Sequence, residues 1–300
     1  MYEQLAANRR RSILLIAGFV IVVVGVGYGF GLLFQAGPFG LVIAVIIAVI
    51  MSIVSYRNGD KVVLAMSHAR EVTHDEQPRL HNLVEGLALA AGIPKPRVYV
   101  IEDVAPNAFA TGRDPAHASI AVTTGLLEKM NRVELEGVVA HELSHVRNRD
   151  TLVMAIVATL VGVLVLLADW TLRAFFWGFG GRRDRRSGND STGAILVLVG
   201  LVVAILMPIF AQIMQMAVSR RREFYADMSG VQLTRYPPGL ISALEKLKAD
   251  TTVVHTAVRS TGHLWIESPL QQESGFMGRI NRLFDTHPPL DERIRMLREM

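Results

Sequence analysis

The 300-residue chain contains no cysteine. That excludes disulfides and every thiolate-ligated metal site, so a tightly held transition metal has to be bound by imidazole and carboxylate. Charge is also scarce. Asp, Glu, Lys and Arg make up 19% of the residues, against about 25% in a typical soluble domain. No small-x-small cleavage site separates the first apolar run from the second, which argues for a retained anchor rather than a removed signal peptide. What the chain has instead is apolar sequence. Hydrophobic residues reach 51% and the mean hydropathy is +0.33. The formal net charge is +4. The arginine runs adjoin apolar blocks, so this excess reads as membrane flanking and excludes a nucleic-acid partner.

Four apolar blocks stand out, at residues 12–34, 39–54, 152–168 and 194–218. A membrane-spanning helix needs about 20 apolar residues, with a lower limit near 17. The first and fourth blocks meet this, and the second and third are marginal. Gln35-Ala36-Gly37-Pro38 is a turn that joins the first two into a helical hairpin. Arg9, Arg10 and Arg11 precede the first block, and Arg57 and Lys61 follow the second. Arg220, Arg221 and Arg222 follow the fourth. The positive-inside rule then puts the N-terminus and the polar segments in the cytoplasm. Arg173, Arg182, Arg183, Arg185 and Arg186 lie between blocks three and four. Two full spans would export that basic loop, so whether the second pair fully crosses stays open.

Between the blocks the periodicities predict helices over 77–91, 132–148, 223–234, 239–249 and 291–300. Short strands are predicted over 97–101 and 119–123, with a turn-rich segment over 106–112. The fold expectation is a mainly α integral membrane protein with two transmembrane hairpins. A mostly helical catalytic domain with a small β-sheet accompanies them. The expected domains are an N-terminal hairpin (1–56), a cytoplasmic domain in two pieces (57–150 and 219–300), and a second hydrophobic hairpin (151–218) inserted between those pieces.

The chemistry is carried by His141-Glu142-Leu143-Ser144-His145. Histidines at i and i+4 share one helix face and can grip one zinc ion. Glu142 lies beside the first ligand, placed to act as general base on a metal-bound water. A catalytic zinc takes a third protein ligand and keeps one position open. Glu223 is the candidate, because a hairpin would return its segment to the His-Glu-x-x-His helix. Asp227 lies one turn further on and is a candidate partner for a ligand imidazole. The competing reading pairs Glu223 and Asp227 with the neighbouring arginines on a solvated face. His68, His74, His81, His117, His255 and His263 lack metal-ligand spacing to one another.

This motif, followed by Glu223-Phe224-Tyr225-Ala226-Asp227, resembles the HtpX family of membrane-bound heat-shock metalloproteases, relatives of the CAAX prenyl proteases. The likeness extends to the N-terminal hairpin, to Pro106-Asn107-Ala108-Phe109-Ala110-Thr111-Gly112 and to His287-Pro288-Pro289-Leu290-Asp291-Glu292-Arg293-Ile294. It implies a zincin-type domain in which His141, His145 and Glu223 bind one zinc and Glu142 is the catalytic base. It also implies polypeptide substrates, above all misfolded or damaged membrane proteins, and a bacterial inner-membrane location with the catalytic domain facing the cytoplasm. The family's segment around Asn107 lines the substrate cleft, and an extended peptide is expected to add to a strand such as 119–123. Asn107 has the alternative of bonding its own backbone in a turn. His287 either stabilises an oxyanion or positions the closing helix. A non-enzymatic alternative, a zinc-stabilised membrane chaperone or adaptor, predicts four protein ligands with His287 as the fourth.

Overall fold

The computed structural model describes residues 2–33, 38–164, 220–254, 261–267 and 288–300. Helices α1 (Tyr2–Leu33) and α2 (Pro38–Met66) pack along one another. Block two is short, yet α2 runs on beyond it to Met66, with a kink at Asn58 (φ −125°). Within α2, Leu41–Met66 is the one helix among the described residues long and apolar enough to cross a membrane. Ile43, Ile46, Ile50 and Ile53 on it are exposed. Block three begins helix α6 (Asp150–Leu164), which is buried along its described length. Leu15, Phe19 and Val23 of α1 join Ala48, Val63 and Leu64 of α2 and Val153 to Leu164 of α6 in one apolar cluster. Block four and the basic loop before it lie outside the described residues, as does the Gln35–Gly37 part of the first turn.

A four-stranded sheet sits beside this cluster. Its strands are β1 (Arg70–Glu71), β2 (Arg97–Ile101), β3 (Ala108–Gly112) and β4 (Ala118–Thr123), in the order β1-β2-β4-β3. β2 and β4 are parallel, and the two outer pairings are antiparallel. Two expectations need correction here. Residues 108–112 form a strand, although 106–112 reads as turns. All five residues are buried, but Ala108, Ala110 and Gly112 are poor strand formers, unlike the Val, Ile and Thr of β2 and β4, so the segment lacks a strand signal. The strand ends at Gly112, whose φ of +138° turns the chain away. β4, in turn, is paired on both sides and offers no edge to a peptide. The outer strand is β3.

Helix α3 (Pro78–Ala91) and α4 (Thr124–Lys129) flank the sheet, and α5 (Arg132–Arg147) runs through the middle of the domain. α5 starts at a capping box. Asn131 Oδ1 accepts from the Glu134 N–H at 3.0 Å, and Glu134 Oε2 accepts from the Asn131 N–H at 2.8 Å. From Gly137 to Val146 every residue of α5 is buried. α3, α7 (Arg220–Thr234), α8 (Pro237–Ala249) and β3 pack around it. The closing helix α9 (Leu290–Arg298) rests on α7 and α8.

Candidate metal centre

The centre forms where α5 and α7 cross. On α5, one turn separates His141 from His145, so both imidazoles leave the same face. α7 approaches closely because Gly230 has no side chain. A Cβ there would lie 3.0 Å from the His141 backbone nitrogen. Glu223 and Asp227 lie seven and three residues before Gly230, on the same face of α7. The close approach therefore delivers both carboxylates to the histidines. His141 is fully buried, and His145 and Glu223 are 4% and 1% exposed.

The donor atoms converge. His141 Nε2 and His145 Nε2 are 3.2 Å apart, and Glu223 carboxylate oxygens lie 3.6 and 3.7 Å from them. Tetrahedral coordination with bonds of about 2.0–2.1 Å spaces neighbouring donors by about 3.3–3.4 Å. The two imidazoles and the carboxylate thus fit a transition metal such as zinc, and they are the one such group of three among the described residues. The surroundings also favour a cation. Burial by itself lowers the basicity of His141. The hydrogen bond and charge of Asp227, with Glu223, outweigh it and lift the imidazole to about 9.

Each ligand imidazole is held from behind. His141 Nδ1 lies 2.9 Å from Asp227 Oδ1. Asp227 is in turn gripped by Arg293, with Nη2 2.6 Å from Oδ1 and Nε 2.8 Å from Oδ2. His145 Nδ1 lies 3.2 Å from Asp150 Oδ2, whose other oxygen is 3.1 Å from Arg222 Nε. A carboxylate on the distal nitrogen fixes the tautomer and leaves Nε2 as the ligand atom.

Glu142 points the other way, toward β3. Its carboxylate lies near the Ala110 backbone, and burial raises its pKa above the ordinary carboxylate range, against the nearby histidines. Ala110 lies on the outer edge of β3, because alternate residues such as Asn107 face β4. Residues 261–267 cover part of that edge. Ile266 N–H donates to the Ala108 carbonyl at 3.0 Å, and Trp265 meets Phe109 edge-on at 4.8 Å.

Residues 74–300 match the model of Peptidase family M48. The chain belongs to that family. It is similar along its whole length to the Protease HtpX homolog of Caldanaerobacter subterraneus subsp. tengcongensis, 46% identical and covering 98% of that protein. The Protease HtpX homolog of Listeria monocytogenes serotype 4a is 44% identical with both chains covered completely. The crystal structure of S. mikatae Ste24p shares the fold at a TM-score of 0.53 and 18% identity, over 99% of this chain and 67% of that one. This M48 peptidase is accordingly a membrane metalloprotease, and its family membership implies a metal at a centre of this kind.

The sequence-derived candidates fall into three groups. His141, Glu142, His145, Glu223 and Asp227 are brought together. Asn107 lies apart from the metal ligands, immediately before β3. Its Oδ1 accepts from the Ala108 N–H at 3.0 Å, and its Nδ2 donates to the Glu267 carbonyl at 3.1 Å. It therefore ties residues 261–267 to the strand. His287 lies outside the described residues. Sequence reasoning assigned no part in the site to Asp150, Arg293 or Gly230, and it used Arg222 only for membrane orientation and as a solvated partner of the carboxylates. Arg222 stands in a run of three arginines that reads as solvated, and Asp150 reads as a helix-flanking acid. Only the fold shows both to be buried.

Proposed function

We propose that this M48 peptidase is a zinc endopeptidase of a bacterial inner membrane. His141, His145 and Glu223 hold the ion, and Glu142 serves as general base. The observation that carries this reading is the donor triangle of two imidazole nitrogens 3.2 Å apart and the Glu223 carboxylate, whose two oxygens lie 3.6 and 3.7 Å from one nitrogen each, with Glu142 adjacent on α5. When bound, zinc supplies a Lewis acid that polarises a water molecule and the scissile carbonyl. The protein's own groups do the rest. Glu142 takes the proton of the attacking water and returns it to the leaving amine, so no covalent intermediate with the enzyme is needed. Asp227 and Asp150 keep the two imidazoles turned toward the ion.

The placement suits substrates at a membrane surface. α6 begins three residues after α5 ends and is apolar from there on. We read residues 1–56 and 151–218 as the two hydrophobic hairpins and 57–150 with 219–300 as the cytoplasmic catalytic domain. Exposed loops and ends of misfolded or damaged membrane proteins are then within reach. They approach along the outer edge of β3, beside Glu142. Replacing Glu142 with Gln tests the assignment in purified protein. The substitution is expected to abolish cleavage of an unfolded polypeptide while one zinc stays bound. Retained proteolysis would overturn the role of Glu142.

A further inference from the structure

His145 is oriented by residues that come from the two ends of the segment between the ligand-bearing helices. Asp150 is the first residue of α6, and Arg222 lies in the first turn of α7. The stretch between them contains the apolar blocks three and four. At the entrance, Arg149 takes a left-handed conformation (φ +57°) that a non-glycine residue adopts only at a cost. That reversal lets α6 start at once and turns Asp150 back onto the end of α5. Its carboxylate then spans two partners, His145 Nδ1 at 3.2 Å and Arg222 Nε at 3.1 Å. All three residues are at most 5% exposed. The neighbour of Arg222 in sequence is Glu223, whose oxygen lies 3.7 Å from His145 Nε2.

We infer that Asp150 and Arg222 are positioning residues that staple the base of this hydrophobic insert and thereby set the metal site. The ion pair does two things at one point. It holds the His145 ring with Nε2 facing the donor triangle, and it pins the first turn of α7, with Glu223, against the end of α5. The arrangement mirrors the Asp227 and Arg293 pair behind His141, but with a difference of origin. Arg293 belongs to the closing helix α9, whereas Asp150 and Arg222 flank the insert on its two sides. Disturbance at the flanks of the insert therefore reaches the metal through His145 and Glu223, while disturbance of α9 reaches it through His141 and, by the Arg293 Nη1 contact of 3.9 Å, through Glu223.

The inference rests on the reading that His141, His145 and Glu223 bind zinc. Its test is metal affinity of the full-length protein in detergent, measured by chelator competition on metal-free enzyme. The visible spectrum of the Co(II)-loaded form is recorded beside it. D150N keeps an acceptor for His145 Nδ1 but removes the charge, and D150N/R222Q removes both charges so that no buried ion is left alone. Both are expected to bind zinc about 10–100-fold more weakly than the wild type and to change the Co(II) spectrum. R222K, which keeps the charge without the planar fork, is expected to fall between them and the wild type. If D150N fails to fold, the double variant decides. Zinc affinity within twofold of wild type and an unchanged spectrum in the charge-neutral variant would overturn the inference while leaving the ligand set intact. H145A supplies the other arm. If it binds zinc as tightly as the wild type, the ligand assignment itself fails, and the inference fails with it.

Discussion

Helices α2 and α5 invert the usual relation between polarity and burial. α2 is apolar over most of its length, yet Ile43, Ile46, Ile50 and Ile53 are exposed. α5 carries His141, Glu142, Ser144 and His145, yet all four are buried. Each helix is unfavourable by itself. Exposed isoleucines in water forgo about 1.5–3 kcal/mol each, and a buried charge without a partner costs several kcal/mol. The two are resolved by different partners. α2 is suited to lipid, whereas α5 is enclosed by protein, and α6, α7 and α9 return carboxylates and arginines to its polar face. The difference teaches that hydropathy locates the membrane part of this chain, and pairing locates its chemistry.

Charging α2 should break the comparison from one side. Ile46→Lys at the middle of the exposed face is expected to disfavour membrane insertion by about 2.5–3.5 kcal/mol, read as a shift from membrane to aggregate or soluble fractions. Breaking it from the other side requires α5. Asp227→Asn is expected to weaken zinc binding about 10–100-fold, measured by chelator competition, with membrane association unchanged.

Packing gives a sharper probe. Gly230→Val places its Cβ about 3 Å from the His141 backbone and forces α7 outward. Overpacking of this kind costs about 1–3 kcal/mol, and it should cost zinc affinity as well, because Glu223 rides on α7. Thermal melting and metal titration of the same protein check both effects. The smallest expected effect is at the start of α5. Burial raises the pKa of Glu134, but Lys246, Ser242 and the Asn131 N–H outweigh it and hold the carboxyl below its ordinary range. Its contribution to folding is therefore present above that range and is lost as pH falls through the lowered pKa. Glu134→Gln should cost about 0.5–2 kcal/mol near neutral pH and flatten the loss of stability in acid, as seen in melts across pH.

The same contrast explains what the sequence made legible. The six-residue α4 is too short to show a period, but five helices of the catalytic domain are legible within a few residues, because each has one apolar face or a clear stop. For α3 these are Pro78 at the start and Gly92, with φ +68°, at the end. His141, Glu142 and His145 could be read as a unit because a helix fixes their spacing. Strand β3 is not legible because Ala108, Ala110 and Gly112 give it little strand propensity, and with β3 unseen the free edge falls to β4. Glu223 follows from chain direction together with the family resemblance, but the crossing at Gly230 that delivers it depends on two helices about 90 residues apart in sequence, beyond the reach of any local pattern. Asp150, Arg222 and Arg293 were passed over because a charged residue is read as solvated unless the fold supplies a reason to bury it.

The most direct test of the account is to strip the metal from the purified full-length protein and return zinc in steps, following bound zinc and digestion of an unfolded polypeptide together. The account predicts that cleavage disappears on stripping and returns in proportion to bound zinc, up to one ion per chain. Cleavage that survives complete removal of metal would contradict it. So would one tightly bound zinc with four protein ligands and no cleavage at all, the signature of a zinc-stabilised scaffold.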